Sequence, residues 1–395
     1  MSETPFKIAI PDDRLALLQK KLELTIFPDE LEDAGRDYGS PLADIKRLVA
    51  HWRSGFDWRK QEAALNADLP QFTRDIAVDG HGSLNVHYVH VKSAKASAIP
   101  LLFVHGWPGS FIEARKIAPL LAEGAEGQPS FHVVALSLPG FGFSEQPHKR
   151  GFAIPQYGEV AHKLMLALGY ETYVTQGGDW GAGITRYMSL VYGVKHVKAW
   201  HTNMPTSFGP DPPNVQLTPE EQEQAKLGLQ WREKEGAYLR LQSNPPSLPL
   251  PLPHTSPSPS PYTHLAFTPQ PIHHPTNLHT VLTWISIYWF SRAGPTASFR
   301  IYYESFSAIA KAAALGQAPP PPSPIPLGFT ILPGEIAISP KPIRDLLGTV
   351  VFEEKHDKGG HFAAYEVPEI LAGDLRKMYA KGGPAYGVVE GKDGY

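Results

Sequence analysis

The stretch V-T-Q-G-G-D-W-G-A-G-I, from Val174 to Ile184, sets one carboxylate, Asp179, among Gly177, Gly178 and Gly181. The residues before it favour a strand and those after it a helix, so Asp179 falls at a sharp strand-to-helix break. This small-x-nucleophile-x-small spacing suits an elbow whose strained turn tolerates only tiny neighbours and lifts the central side chain above a sheet. The plainer alternative is that Asp179 caps the helix beginning near Trp180, a common task for aspartate. Two later residues favour chemistry. Glu335 follows the strand-like run F-T-I-L-P-G, and His361 lies in G-G-H-F beyond V-V-F-E-E-K-H. Alone, the first would read as a solvated surface acid and the second as a structural histidine. Together they complete the order nucleophile, acid, histidine that follows such an elbow in hydrolases.

An acid in place of the more usual serine changes the reaction. A carboxylate displaces a leaving group at a saturated carbon and becomes an alkyl ester. Water activated by His361 then attacks the ester carbonyl, while Glu335 orients the imidazole and stabilises it once protonated. H-G-W-P-G-S, His105 to Ser110, directly follows the run L-L-F-V. Its backbone N–H at Trp107, with that of Trp180, forms a two-donor oxyanion hole, unless the segment is only a tight Gly-Pro turn. Haloalkanes, epoxides and fluoroacids are the candidate electrophiles. An epoxide opens to an alkoxide that needs a proton donor, and Tyr238 in G-A-Y-L-R-L-Q and Tyr302 in R-I-Y-Y-E are candidates. Tyrosines also pack their rings and bond their hydroxyls for purely structural reasons.

These residues need a scaffold. After Gly80, short apolar or alternating runs recur: S-L-N-V-H-Y-V-H-V, P-L-L-F-V-H-G, F-H-V-V-A-L-S-L-P-G, T-Y-V-T-Q-G-G-D, V-K-A-W-H-T-N and, later, G-F-T-I-L-P-G-E and V-V-F-E-E-K-H. Helical stretches separate several of them, notably Tyr157 to Leu168 with Val160, Leu164 and Leu168 on one face. Strands alternating with helices predict an α/β fold with a mostly parallel sheet covered on both sides. Sites of such sheets lie beyond the carboxyl ends of the strands, where Glu335 and His361 are expected.

Before the strands, Asp12 to Trp58 reads as helical, with Leu15, Leu18 and Leu22, then Leu42, Ile45, Val49 and Trp52, at three- and four-residue steps. Ser40 before Pro41 is the expected N-cap of the second group. We expect these helices to wrap the main core. A long insertion interrupts the sheet, helical at Thr218 to Leu227 and again at T-V-L-T-W-I-S-I-Y-W-F and A-S-F-R-I-Y-Y-E-S-F. Pro245 to Pro261 and Pro319 to Pro326 are too rich in proline for a helix or sheet interior and are expected to be irregular linkers. The expected organisation is an N-terminal wrap with the first strands (1–92), a first core part (93–204), an inserted lid (205–327) and a second core part (328–395).

Composition narrows the function. With no cysteine among 395 residues, disulfides, thiolate metal sites and a cysteine nucleophile are excluded. A net charge of −3 without basic clusters offers nothing for nucleic acid to bind. No secretory signal or membrane anchor is visible, so a cytoplasmic location is expected. The partners expected are a small uncharged substrate and water, with no metal or organic cofactor, and homo-oligomerisation is left open.

The motifs resemble those of the microsomal-type epoxide hydrolases of the α/β-hydrolase fold. They are F-K-I near the start, Y-G-S-P-L-A-D-I-K-R-L-V-A-H-W-R-S-G-F-D-W-R-K-Q-E-A-A-L-N, H-G-W-P-G-S, G-G-D-W-G, R-I-Y-Y-E and G-G-H-F-A-A-Y-E-V-P-E, together spanning most of the chain. The resemblance implies a central sheet flanked by helices, an inserted lid and an N-terminal helical extension. It implies Asp179 as nucleophile, His361 as base, Glu335 as its charge partner, Tyr302 and Tyr238 as epoxide-oxygen donors, and Trp107 and Trp180 as oxyanion donors. Hydrolysis of an apolar epoxide to a vicinal diol, in detoxification or catabolism, is the activity so implied, and the chain is similar to the soluble relatives. A haloalkane dehalogenase-like hydrolase, with Trp180 on the halide, is the nearest rival reading. The proline tract departs from the family pattern, which resumes at V-L-T-W-I-S-I-Y-W-F at about the expected length. Such a replacement is what a displaced reading frame produces. If the tract is genuine, the lid loses part of its wall and Tyr238 is displaced, which leaves an inactive binding protein as a further alternative.

Overall fold

Residues 3–35, 37, 39–206, 215–244 and 275–395 of the chain are described by a computed structural model. The strands are β1 (Thr4–Pro5), β2 (Gln71–Val78), β3 (Gly82–Val91), β4 (Ile99–Val104), β5 (Phe131–Leu136), β6 (Tyr173–Gly177), β7 (Val197–Thr202), β8 (Ser323–Ile331) and β9 (Gly348–Lys355). The longer helices are α1 (Asp12–Glu23), α2 (Leu42–Ser54), α3 (Trp58–Asp68), α4 (Ala114–Glu123), α5 (Ile154–Ala167), α6 (Trp180–Val191), α7 (Pro219–Lys234), α8 (Ala237–Ser243), α9 (Pro275–Trp289), α10 (Arg300–Ala314) and α11 (Pro368–Tyr379). Among the described residues the strands form one sheet in the order β1-β2-β3-β5-β4-β6-β7-β8-β9. Pairing is antiparallel from β1 through β3 to β5 and parallel from β5 through β4 and β6 to β9.

The central strand β4, I-P-L-L-F-V, is apolar throughout because both its faces are covered. Leu101 and Phe103 join Ile117 and Leu121 of α4 and Leu371 and Leu375 of α11 on one side. Leu102 and Val104 join Val160 and Leu164 of α5 and Ile184 of α6 on the other. Fully burying each such side chain contributes about 1.5–3 kcal/mol. The parallel strands therefore end in register at one edge of the sheet, where the turns after β4, β6, β8 and β9 converge.

Four expectations change. Strand β2 starts at Gln71, well before Gly80, and pairs with β3 through Arg74↔Val86 and Ile76↔Leu84. Its polar centre, T-R-D, hides the alternation, and pairing with a more apolar partner makes it a strand. Ser40 is not the cap of α2: the helix begins at Leu42 after Pro41, and the Glu30 carboxylate accepts the Leu42 N–H at 2.7 Å. Pro324 and Pro326 belong to β8 rather than to a linker. They are tolerated because β7 pairs with β8 only from Leu327 onward, and the β8–β9 register shifts between Ser323 and Pro326. The other proline tract, and the segment after it as far as residue 274, lie outside the described residues.

The fourth change concerns the N-terminal helices. They cover the lid as well as the core: α2 and α3 contact α9. Leu48, Val49 and Trp52 share a buried cluster with Val281, Leu282 and Ile285. The rings of Trp58 and Phe290 lie 5.0 Å apart, and Arg14 donates to the Trp289 carbonyl at 3.4 Å. Among the described residues no helix is long and apolar enough to cross a membrane. Leu48 is fully buried, so Leu48→Ala should lower unfolding stability by about 2–5 kcal/mol, read from the urea transition.

Candidate active site

Asp179 sits at φ 51° and ψ −127°, a left-handed conformation that aspartate rarely adopts. The glycines around it are required by close approach. A Cβ on Gly181 would overlap the Val104 carbonyl, one on Gly177 would overlap the Gly181 carbonyl, and one on Gly106 would overlap the Asp179 side chain. At Gly178 a Cβ would lie 2.9 Å from Asn203 Oδ1. The sharp turn from β6 into α6 thus rests directly on the end of β4.

The Asp179 side chain makes no capping hydrogen bond to α6. Its Oδ1 instead accepts the Trp107 backbone N–H at 2.8 Å, and its Oδ2 faces His361 Nε2 at 3.5 Å. His361 Nδ1 donates to Glu335 Oε1 at 2.7 Å, and the same oxygen accepts the Ile336 N–H at 2.7 Å. The side chains of Glu335 and His361 are 0% and 2% exposed, against 14% for Asp179, so of the three only Asp179 is partly open. Burial disfavours the imidazolium, but Glu335 and Asp179 outweigh it and hold His361 well above its ordinary pKa.

The loop that supplies Trp107 is fixed by His105. This ring donates from Nδ1 to the Gly106 carbonyl at 2.9 Å and accepts the Leu138 N–H at 3.1 Å. Burial lowers its pKa to about 4, so it is a neutral structural histidine. Trp180 is the first residue of α6 and follows Asp179 directly.

Both lid tyrosines face the elbow. Tyr302 of α10 lies edge-on to Trp107 at 5.6 Å and to Trp180 at 4.8 Å. Tyr238 of α8 stacks on Trp107 at 5.4 Å, with its ring 6.1 Å from that of Tyr302. Proximity to the proline tract has therefore not displaced it. Burial, reinforced by the Asp179 charge, raises both phenol pKa values, so both hydroxyls stay protonated.

Similarity to known proteins gives the family. A family model described as the epoxide hydrolase N terminus matches residues 3–114, and one described as the alpha/beta hydrolase fold matches residues 99–243. Epoxide hydrolase 1 of Sus scrofa is 30% identical over 95% of this chain and 88% of its own length. The chain belongs to the epoxide hydrolase family. The solved structure of Aspergillus niger epoxide hydrolase superposes with a TM-score of 0.78 at 29% identity, covering 95% of each chain. The juvenile hormone epoxide hydrolase of the silkworm Bombyx mori gives a TM-score of 0.80 at 25% identity, covering 95% of this chain and 93% of its own.

In this epoxide hydrolase the structure also brings to the site residues that sequence reasoning missed. Asn203, after β7, accepts from Gln176 Nε2 at 2.8 Å and donates to the His361 carbonyl at 3.3 Å, tying the histidine loop to the elbow strand. Tyr288 of α9 donates to the Gly109 carbonyl at 2.6 Å. Glu113 is buried behind the same turn. The only sequence signal for it is the S-x-x-E spacing from Ser110, which reads as helix capping. Because Asp179 supports the imidazolium, Asp179→Asn should lower the His361 pKa, and NMR titration of the ring should show the fall.

Proposed function

We propose that the protein hydrolyses an apolar epoxide to a vicinal diol through a covalent ester on Asp179. The observation that carries this reading is the placement of Asp179 between the Trp107 N–H and His361, beneath the paired phenols of Tyr238 and Tyr302. Asp179 Oδ1 is already engaged by Trp107, so Oδ2 is the attacking oxygen. As the C–O bond of the epoxide breaks, Tyr302 and Tyr238 donate to the leaving oxygen. Both are held neutral until that moment, and a positioned proton donor is worth about 10²–10⁴ in rate.

Ester formation removes the Asp179 charge that helped raise the His361 pKa. The imidazole then releases its proton more readily, which restores the phenol that protonated the leaving oxygen, and becomes the base for the second step. Water attacks the ester carbonyl, whose oxygen is Oδ1. The tetrahedral charge therefore develops where the Trp107 N–H already points, with the Trp180 N–H as the second donor. Glu335 stabilises the imidazolium that forms. Collapse passes the His361 proton to the departing diol oxygen, and the water's second proton, left on the new Asp179 carboxyl, moves to His361, which restores both residues. Two phenols over the nucleophile favour an epoxide over a haloalkane, because halide needs no proton to leave. We assign the chain's partners as a small apolar epoxide and water, in detoxification or catabolism, on the same grounds and on the likeness to the relatives above.

A panel of apolar epoxides assayed for diol tests the reading, with Asp179→Asn expected to be silent. His361→Gln should accumulate an alkyl ester on Asp179 in intact-protein mass spectrometry. No adduct from a folded variant, while the wild type turns over, would overturn the mechanism; halide release from haloalkanes without diol formation would transfer the assignment to a dehalogenase. Tyr302→Phe should slow ester formation by about 10²-fold or more, followed by stopped-flow fluorescence of the neighbouring tryptophans.

A further inference from the structure

We propose that Glu366 is a positioning residue for ester hydrolysis: its carboxyl grips the backbone on both sides of His361 and so fixes where the imidazole aims. The inference rests on the ester mechanism above. After His361 the chain makes a single helical turn, Ala363–Glu366, which Val367 stops at φ −135° and ψ 56° before Pro368. That one turn brings Glu366 back over the residue that follows the histidine. Its Oε1 accepts the Phe362 N–H at 2.9 Å, and its own N–H donates to the Phe362 carbonyl at 2.9 Å. The plainer account is ordinary capping, in which an acid in the first turn reaches back to a free N–H. A second contact goes further. The Gly360 N–H, on the other side of His361, faces the same carboxyl. A Cβ on Gly360 would lie 2.9 Å from Glu366 Oε2, so the glycine is what admits the acid.

Two other contacts complete the grip. Gly334, just before Glu335, donates its N–H to the Gly359 carbonyl at 3.0 Å, which keeps the acid loop and the histidine loop in step. Asn203 holds the His361 carbonyl. With the N–H groups at 360 and 362 meeting one carboxyl, the His361 backbone cannot rotate without breaking a contact. Burial holds the Glu366 carboxyl above its ordinary pKa; the Phe362 and Gly360 N–H groups and His361 oppose the shift, and Glu335 adds to it. Lys116, which Glu366 also faces, donates to the Tyr365 carbonyl at 2.8 Å and does not draw the acid into an ion pair. Burying an acid without a counter-charge is costly, and the two N–H groups offset that cost. The need for the grip differs between the two steps. While the ester forms, His361 Nε2 faces the Asp179 carboxylate at 3.5 Å, and that attraction helps to aim the ring. Once Asp179 is an ester the attraction is gone, and Glu335 and the backbone alone direct Nε2 at the water. Glu366 therefore acts most in hydrolysis, and no proton moves to or from it.

Single-turnover kinetics separates the two steps. Glu366→Met fills the same space without an oxygen acceptor. It should form the ester within about threefold of the wild-type rate but hydrolyse it about tenfold or more slowly, the scale of a small misplacement of the base. The alkyl-enzyme should then accumulate with His361 intact. Glu366→Gln keeps one acceptor for Phe362 and should hydrolyse the ester at a rate between the two. A second readout needs no substrate. The His361 Nδ1 proton, bonded to Glu335, should give a sharp far-downfield proton resonance in the wild type and a broadened one in the methionine variant. Equal loss in both steps, or an unaltered resonance, would make Glu366 a helix cap only, and an unchanged hydrolysis rate would remove it from the reaction. Glu366→Ala serves the same comparison if the methionine variant does not fold. The His361→Gln adduct keeps the two proposals apart: an adduct there with normal hydrolysis in the Glu366 variants sinks this inference alone, whereas its absence sinks the ester mechanism.

Discussion

At the elbow, backbone presses on backbone. The glycines at 106, 177 and 181 let the turn after β6 settle onto the end of β4 with no side chain between them. Asp179 accepts a left-handed φ to complete that turn, at a cost of order 1–3 kcal/mol borne by the surrounding core. What the strain secures is position. Separating β4 from the elbow by one methyl group would pull the Trp107 N–H from Asp179 Oδ1 and move Oδ2 relative to His361. Displacements of about 1 Å at such a site cost about a hundredfold in rate.

The electrostatics follow from that placement. Two carboxylates and one imidazolium share a nearly dry site, leaving one negative charge in excess. The Trp107 N–H and the N-terminus of α6 face that charge and stabilise it. Removing His361 would strand two buried carboxylates, a far greater loss than the ion pairs' own net contribution. The same dryness keeps the phenols of Tyr238 and Tyr302 protonated and His105 neutral. Burial thus assigns opposite tasks to two histidines near one strand end: His105, without a carboxylate bonded to it, fixes a loop, and His361, between two carboxylates, binds a proton.

The wrap, the lid and the turn at Trp107 form a mechanical chain. Helices α2 and α3 pack on α9, and Tyr288 of α9 holds the Gly109 carbonyl. From there the turn runs back to Trp107. Tyr238 and Tyr302 pack on the indole of Trp107, so the phenols above Asp179 and the N–H beside it are referenced to one residue. The N-terminal helices therefore reach the chemistry through the lid, although none of their side chains lies at Asp179.

Much of this was legible in the amino-acid order because the signals are local. Glycine spacing marks the turn at Asp179, apolar runs mark β3 through β9, and chain order pairs Glu335 with His361. Features that depend on a distant partner were not legible. β2 is a strand because β3 pairs with it, Glu30 displaces Ser40 as the partner of Leu42, and Pro324 and Pro326 enter β8 where β7 does not pair. Glu113, Asn203 and Tyr288 look ordinary in sequence and gain meaning only from what is folded against them. The sequence by itself determined which residue types stand at which strand ends, since turn geometry and hydrophobic period act over a few neighbours. Tertiary structure alone decided burial, and with it protonation, because the dielectric and charges around a side chain come from segments far away along the chain.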